Sequence, residues 1–114
     1  MEFTVVDAAS GVSHVTLAGR MDPYGAQQIR TRLRAETVDR ARPAVVDISA
    51  LTFMTSVGIG LLVDCADTLR RAGHTMVFVK ATGHVDDVLR KTGIYTIVSA
   101  VDTVEEAFDF LESS

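Results

Sequence analysis

Cysteine is almost missing from this sequence, since Cys65 is the single one among 114 residues. One thiol excludes an intramolecular disulfide framework and a zinc site built on several cysteines of one chain. Three histidines are present, His14, His74 and His84, and their separations match no metal-ligand spacing. We therefore expect neither a bound metal nor a cofactor.

Long hydrophobic runs are lacking as well. No apolar stretch approaches the roughly eighteen residues that a membrane-spanning helix needs. The first ten residues, "MEFTVVDAAS", contain no apolar core of the length found in signal peptides. The net charge of −4 gives no overall attraction to nucleic acid or to an anionic membrane. These absences predict a soluble, cytoplasmic protein that contacts neither nucleic acid nor membrane directly.

What the sequence does contain is a pattern of alternating strands and helices, in which 47% of the residues are hydrophobic. We predict a single domain over residues 1–114, in the order β β α β α β α β α. This alternation indicates an α/β fold with a mixed, mainly parallel sheet of about five strands and four helices packed on it. The predicted strands cover residues 3–7, 13–18, 44–48, 75–80 and 95–98, and the predicted helices cover residues 23–40, 57–72 and 84–92 and a last segment that begins at residue 103.

Several residue patterns indicate where the helices begin and end. Asp22 before Pro23 is typical of a capping aspartate followed by proline at the first helical position. Gly73 and Gly93 each predict a helix end, the first in a left-handed conformation. Thr103, with a glutamate three residues later, has the spacing of a capping box. The predicted buried faces are Ala26, Ile29, Leu33 and Thr37 in the first helix and Ile59, Leu62, Val63, Ala66 and Leu69 in the second.

The most unusual stretch is "FMTSVGIG", residues 53–60, where a hydroxyl pair precedes two glycines at the start of a predicted helix. Glycine is less favourable in a helix than alanine by about 1 kcal/mol. Ser56 is predicted to cap this helix. Because Gly58 and Gly60 have no side chains, another surface or an anion could approach the unpaired N–H groups of the first turn. Close packing of the helix on the sheet explains the glycines equally well.

The segment "VVDISALTFMTSVGIGLLV", residues 45–63, resembles the signature of the STAS domain family, the bacterial anti-sigma factor antagonists. In that signature a strand ends in Asp-Leu-Ser, a loop with an aromatic residue follows, and Asp-Ser-Ser-Gly-Leu-Gly opens a helix. "LAGRMD", residues 17–22, is similar to the family's Gly-x-Leu-Asp, and "VFVKATGHVDDVLRKTGI", residues 77–94, to its later strand, turn and helix. The sequence departs from the pattern at Thr55, where the family usually has aspartate, and at Val57, where it often has a second serine.

The resemblance implies the STAS fold and an anti-sigma factor antagonist that is not an enzyme. Its unphosphorylated form would bind an anti-sigma factor that is also a serine kinase, and would thereby release a sigma factor. The kinase would phosphorylate Ser56, with Thr55 as the second choice of acceptor, and a PP2C-type phosphatase would reverse the modification. Asp47 is expected to hold the loop before Ser56 by accepting hydrogen bonds from backbone N–H groups. The expected docking residues are Asp22, Thr55, Ser56, Val57, Gly58, Ile59, Gly60 and Asp64.

Other functions stay open at this point. An enzyme with Ser56 as nucleophile is disfavoured, because no histidine or lysine lies near it in sequence to activate the hydroxyl. Within the resembled family, the alternatives are a STAS subunit of a phospholipid-transport ABC complex and a scaffold in a stress-signalling assembly. Weak association of two copies of the chain is also left open.

Overall fold

The computed structural model describes residues 1–6 and 11–112. Five strands form one sheet in the spatial order of the sequence; β1 is antiparallel to β2, and the other neighbours are parallel. The observed element order confirms the predicted one, and residue 7 of the first predicted strand lies outside the described residues. The strands are β1 (Glu2–Val6), β2 (Ser13–Met21), β3 (Ala44–Met54), β4 (Met76–Val79) and β5 (Ser99–Val101), and the helices are α1 (Pro23–Glu36), α2 (Ser56–Arg71), α3 (Gly83–Thr92) and α4 (Val104–Glu112).

Alternate side chains of the central strands enter two separate cores. Val46 and Phe78 belong to the larger core, to which α1, α2 and α3 contribute their buried faces. Val45 and Val77, one residue earlier on the same strands, belong to the smaller core beneath Ala107 of α4. The sheet is therefore covered on both faces at its centre, which explains why β3 and β4 begin as uninterrupted apolar runs.

The smaller core includes an imidazole at its border. His14 of β2 pairs in register with Val45, and its ring packs edge-on against Phe108 of α4 with 5.8 Å between ring centroids. Burial lowers the pKa of His14, an effect that the nearby charge of Asp47 opposes. Within the described residues the Nε2 atom has no hydrogen-bond partner. The neutral imidazole thus serves as a packing side chain of this core.

Strand β3 is longer than predicted, because it runs to Met54 instead of ending at residue 48. A register shift against β2 interrupts it where Ser49 and Ala50 are both exposed. Beyond this bulge β3 pairs with β2 alone, because β4 ends opposite Asp47. The predicted end of this strand at residue 48 was wrong because a bulge breaks the period-two alternation by which a strand is recognised.

The strand predicted at residues 95–98 was also wrong. Residues 94–96 form a turn of 3-10 helix, and β5 follows at Ser99–Val101. Ile94 and Val98 are both buried, and the hydroxyl of Tyr95 donates to Asp86 Oδ1 of α3 at 2.7 Å. Residues four apart lie on one side of a helical turn. The apolar run therefore packs as a turn against α3, and Ser99–Val101 form the strand that pairs with β4.

Most predicted helix ends are confirmed. Asp22 Oδ1 accepts a hydrogen bond from Gly25 N at 2.7 Å, and Thr103 Oγ1 accepts one from Glu106 N at 3.0 Å. Gly73 and Gly93 follow their helices with φ values of 86° and 76°. Helix α1 ends at residue 36, four residues earlier than predicted.

The predicted buried face of α1 is confirmed in full. Thr37, its last member, lies just beyond the helix, and its hydroxyl donates to Leu33 O at 2.7 Å. The buried face of α2 is rotated from the prediction. Ile59 and Val63 pack against the larger core but are only partly buried. The buried residues of α2 are Gly58, Leu61, Leu62, Cys65, Ala66 and Leu69.

Candidate functional site

The end of β2 and the start of α2 are joined by hydrogen bonds at one carbonyl group. Thr55 donates from both its backbone N and its Oγ1 to Met21 O, at 3.1 and 3.2 Å. Because Met21 directly precedes Asp22, this junction places the cap of α1 beside the first turn of α2. Of the predicted site residues, Asp22 and Thr55–Gly60 are therefore brought together at the carboxyl ends of two parallel strands, where open α/β sheets commonly bind their ligands.

Ser56 is the first residue of α2, and the prediction that it caps the helix was wrong. Thr55 occupies the cap position, with extended backbone angles of φ −115° and ψ 171°, and its side chain makes no capping hydrogen bond. The reason is the length of β3, which leaves a single residue between strand and helix. Ser56 is exposed, and its hydroxyl has no hydrogen-bond partner in the part of the chain that the structure describes.

The two glycines of this turn have different surroundings. A Cβ atom at Gly58 would lie 2.8 Å from Met21 Cγ and 2.9 Å from Met54 Sδ. Gly58 is therefore needed for close packing of α2 on the ends of β2 and β3. Apart from its two chain neighbours and the nearby backbone of its own helix, a Cβ atom at Gly60 would have no neighbour within 4 Å in the described part of the chain. Packing therefore does not require this glycine.

The missing side chain at Gly60 leaves the surface around Ser56 uncovered. Residues four apart lie on the same side of a helix, and helical side chains lean toward the N-terminus. A side chain at Gly60 would therefore stand beside the Ser56 hydroxyl. Its absence leaves a hydroxyl that a large partner can reach.

Two exposed apolar side chains border this turn. Val57 is 50% exposed, and Tyr24, in the first turn of α1, is 72% exposed. A shallow groove separates the two helices here, lined by Pro23, Ala26, Gln27, Arg30, Val57 and Leu61. Sequence reasoning missed Tyr24, although the signal was available: an aromatic residue in the first turn of α1 that falls outside the predicted buried face.

Two predicted site carboxylates lie apart from this turn. Asp64 is eight residues from Ser56, about 12 Å along the helix axis, and its Oδ2 accepts a hydrogen bond from Arg34 Nη1 of α1 at 2.6 Å. Asp47 lies within β3, where its Oδ1 accepts bonds from Ser49 N at 3.0 Å and from Ser49 Oγ at 2.7 Å. Asp47 was expected to hold a loop. It instead holds the bulge of β3, because the strand continues through this position.

The structure offers little for metal or thiol chemistry near this turn. Over residues 1–6 and 11–112, no three or more His, Cys, Asp or Glu side chains are grouped to hold a metal ion. Burial raises the pKa of the Cys65 thiol, which faces the core. No helix in the described part of the chain is both long and apolar enough to cross a membrane. What the turn does present is an exposed, unbonded hydroxyl at a helix N-terminus.

Sequence comparison relates nearly the whole chain to one family. The family model described as "STAS domain" matches residues 4–107. The chain is also similar to "Putative anti-sigma factor antagonist BtrV" of Bordetella bronchiseptica, with 24% identity over 102 residues, which are 90% of this chain and 88% of that protein.

Solved structures of similar architecture carry related names. An anti-sigma factor antagonist from Mycobacterium paratuberculosis matches with a TM-score of 0.84 and 23% identity, over 97% of this chain and 95% of the other. The anti-sigma factor antagonist SpoIIAA in its unphosphorylated form matches with a TM-score of 0.76 and 21% identity, over 99% of this chain and 100% of the other. The Bacillus cell fate determinant SpoIIAA in its phosphorylated form matches with a TM-score of 0.72 and 20% identity, over 95% of this chain and 97% of the other. At these identities the likeness shows a common fold.

Proposed function

Because the chain belongs to the STAS domain family, we propose that it is an anti-sigma factor antagonist switched by phosphorylation of Ser56. The unphosphorylated form binds an anti-sigma factor that is also a serine kinase, and this binding releases a sigma factor. Phosphorylation ends the contact, and a PP2C-type phosphatase restores it. The names of the similar proteins support this proposal, as does the existence of SpoIIAA in phosphorylated and unphosphorylated forms.

The observation that carries the proposal is the contrast between the two adjacent hydroxyls. Ser56 is exposed and, among the described residues, unbonded, whereas Thr55 is half-buried and donates its hydroxyl proton to Met21 O. Phosphorylation of Thr55 would break that bond and force the phosphate into the junction between β2 and α2. Ser56 is thus the acceptor and Thr55 the second choice.

The docking surface surrounds the acceptor. Asp22, Thr55, Ser56 and Val57 form its centre, and Gly60 keeps it open. Gly58 and Ile59 support it from beneath, because both pack toward the core. Asp64 lies at its margin, where its bond to Arg34 must be exchanged or shared when a partner binds.

The phosphorylation step needs a base that this chain does not present at Ser56. Ser56 Oγ forms the new bond to the γ-phosphorus of ATP, ADP leaves, and the hydroxyl proton passes to the kinase. No described side chain of this chain is hydrogen-bonded to Ser56 to take that proton. The antagonist therefore acts as a substrate, and the catalytic groups belong to its partner.

Phosphorylation must act on the interface, since it does not threaten the fold. A phosphate adds about −1.5 to −2 charges, and the N-terminus of a helix is a favourable place for negative charge. Across an interface, however, like charges cost several kcal/mol. Each 1.4 kcal/mol changes an affinity about tenfold, so the modification suffices to separate the complex.

Mass spectrometry tests the acceptor. The protein is incubated with ATP and each anti-sigma kinase from the same genome, and its peptides are then measured. We expect one added phosphate on Ser56, absent in Ser56→Ala and retained in Thr55→Val. A phosphate on Thr55 in the unaltered protein would move the acceptor by one residue. Neither phosphate nor binding to any such kinase would favour the transport-complex subunit or the signalling scaffold.

Ser56→Asp tests the switch itself. We expect binding to the kinase to weaken by about tenfold or more, while the thermal midpoint stays unchanged because Ser56 makes no contact that the fold needs. Ser56→Asn is the matched control, since it has the same shape without the charge and should bind more tightly than Ser56→Asp. Equal loss of binding in both variants, or a large fall in the thermal midpoint, would contradict an electrostatic switch at the interface.

A further inference from the structure

Three side chains form a stacked column beside the acceptor turn. The guanidinium carbon of Arg20, at the end of β2, lies 4.1 Å from the ring centroid of Phe53. Phe53, near the end of β3, stacks on His84 of α3 with 5.1 Å between ring centroids and 8° between the ring planes. Arg20 and His84 are exposed and Phe53 is half-buried. The column therefore presents a cation and an imidazole on two sides of one aromatic ring.

The charge of Arg20 is not neutralised within the described residues. No carboxylate pairs with it there, and its guanidinium N–H groups donate to no acceptor of those residues. Most other basic side chains of the described residues are paired: Arg34 with Asp64, Arg40 with Glu36, Arg70 and Arg71 with Asp67, Arg90 with Asp86, and Lys91 with Asp87.

The carboxylates nearest to Arg20 and His84 in sequence are already engaged. Asp22 caps α1 through Gly25 N. Asp86 accepts bonds from Arg90 and Tyr95, and Asp87 pairs with Lys91. The cationic end of the column is thus exposed, and none of these carboxylates is ion-paired with Arg20.

The column lies on the ends of β2 and β3, the strands that lead into the proposed acceptor turn. Thr55 N donates to Met21 O at 3.1 Å. Arg20 precedes Met21 and Ser56 follows Thr55, so the two residues flank this single hydrogen bond. A partner that covers Ser56 is therefore placed at the strand ends that also carry Arg20 and Phe53.

We propose that this column, Arg20, Phe53 and His84, receives an acidic side chain of the anti-sigma factor kinase; the inference rests on the function proposed above. A guanidinium lying on a ring is held in one place, and its planar fork of N–H donors matches a carboxylate in two parallel hydrogen bonds. The column extends the docking surface from α2 toward α3. Because charged contacts at an interface mainly set partner choice, Arg20 selects among related kinases.

The test compares two arginines of similar setting. Arg32 also lies over a phenylalanine, 4.6 Å from the ring centroid of Phe3, but it belongs to α1 beside β1. Arg20→Glu and Arg32→Glu are each titrated against the ADP-bound kinase that binds the unaltered protein. We expect Arg20→Glu to weaken binding about tenfold or more and Arg32→Glu to change it less than twofold. If Arg20→Glu impairs folding, Arg20→Gln replaces it in the titration. Arg20→Gln should weaken binding less than Arg20→Glu, because it removes the charge without reversing it.

The outcomes separate this inference from the proposed function. Restoration of Arg20→Glu binding by an acidic-to-lysine change in the kinase would identify the accepted carboxylate. Wild-type affinity of Arg20→Glu, together with loss of binding in Ser56→Asp, would overturn the column's role and leave the switch intact. A loss seen with the ATP-bound kinase but not with the ADP-bound one would assign Arg20 to a nucleotide phosphate and overturn the acidic partner. Absence of binding by the unaltered protein would overturn both.

Discussion

The two ends of α2 differ in how their polar groups are used. At the C-terminal end, Asp67 pairs with both Arg70 and Arg71, so the charges of the last turns are satisfied within the helix. At the N-terminal end, Ser56 is exposed and unbonded among the described residues, and the space at Gly60 is open. This difference is the one expected if the N-terminal end is the docking surface proposed above.

The same contrast exists within the first turn. Gly58 and Gly60 are two residues apart, yet one is buried against methionine side chains and the other faces open space. Two residues correspond to about 200° around a helix, so the two positions lie on nearly opposite sides. One glycine is thus explained by packing, whereas packing does not explain the other.

The largest expected effect on stability is that of Gly58→Ala. The new methyl would overlap Met21 and Met54, and it would approach Met21 O within 3.0 Å. Overpacking of this kind typically costs about 1–3 kcal/mol, against a helix-propensity gain of at most about 1 kcal/mol. We expect a net loss of stability in urea denaturation. An unchanged transition midpoint would mean that the two methionines yield at little cost.

Gly60→Ala should have the opposite effect on stability. Its methyl meets no atom within 4 Å, so the free energy of unfolding should rise by up to about 1 kcal/mol. Binding to the anti-sigma kinase, measured by titration calorimetry, should weaken because the methyl adds bulk to the open surface one helical turn from Ser56. A stabilised variant that binds as well as the unaltered protein would show that this open surface is not part of the interface.

The smallest effect is expected at the other end of the helix. The hydrogen bond from Arg70, helped by the charge of Arg71, holds the pKa of Asp67 below its ordinary value. A pKa that is lowered in the folded state stabilises the fold at neutral pH, and this contribution is lost as the pH falls through the lowered pKa. Asp67→Asn should therefore give a slight decrease in thermal midpoint at neutral pH that vanishes in strong acid. Its kinase affinity should equal that of the unaltered protein; weaker binding would extend the interface along α2.

Local sequence signals predicted most of the fold. Asp22 before Pro23, and the glycines at the ends of α2 and α3, act through backbone geometry or a hydrogen bond within a few residues, so they can be recognised without the tertiary structure. The failures occurred where distant residues decide the outcome. β3 continues past its bulge because β2 extends beside it, and the run at residues 95–98 turns away because Tyr95 bonds to α3.

The candidate site shows the same division. Its position, between a buried strand and a glycine-containing helix, could be predicted from residues 53–60. The roles of the individual residues of the site could not be predicted from that stretch. Whether a hydroxyl is free or bonded depends on Met21, more than thirty residues away in sequence. The pairing of Asp64 with Arg34 and the stacking of Arg20 on Phe53 likewise join separate elements.

The sequence by itself determined the order of strands and helices, the helix caps and the family signature around Ser56, because these depend on period, propensity and neighbouring residues. Only the tertiary structure decided that Gly58 is packed against two methionines while Gly60 faces open space, and that Thr55 is hydrogen-bonded while Ser56 has no such bond among the described residues. It also decided that Arg20 is held over an aromatic ring and forms no ion pair in the described residues. The physical reason is that burial, steric contact and charge pairing are properties of groups brought together from different strands and helices.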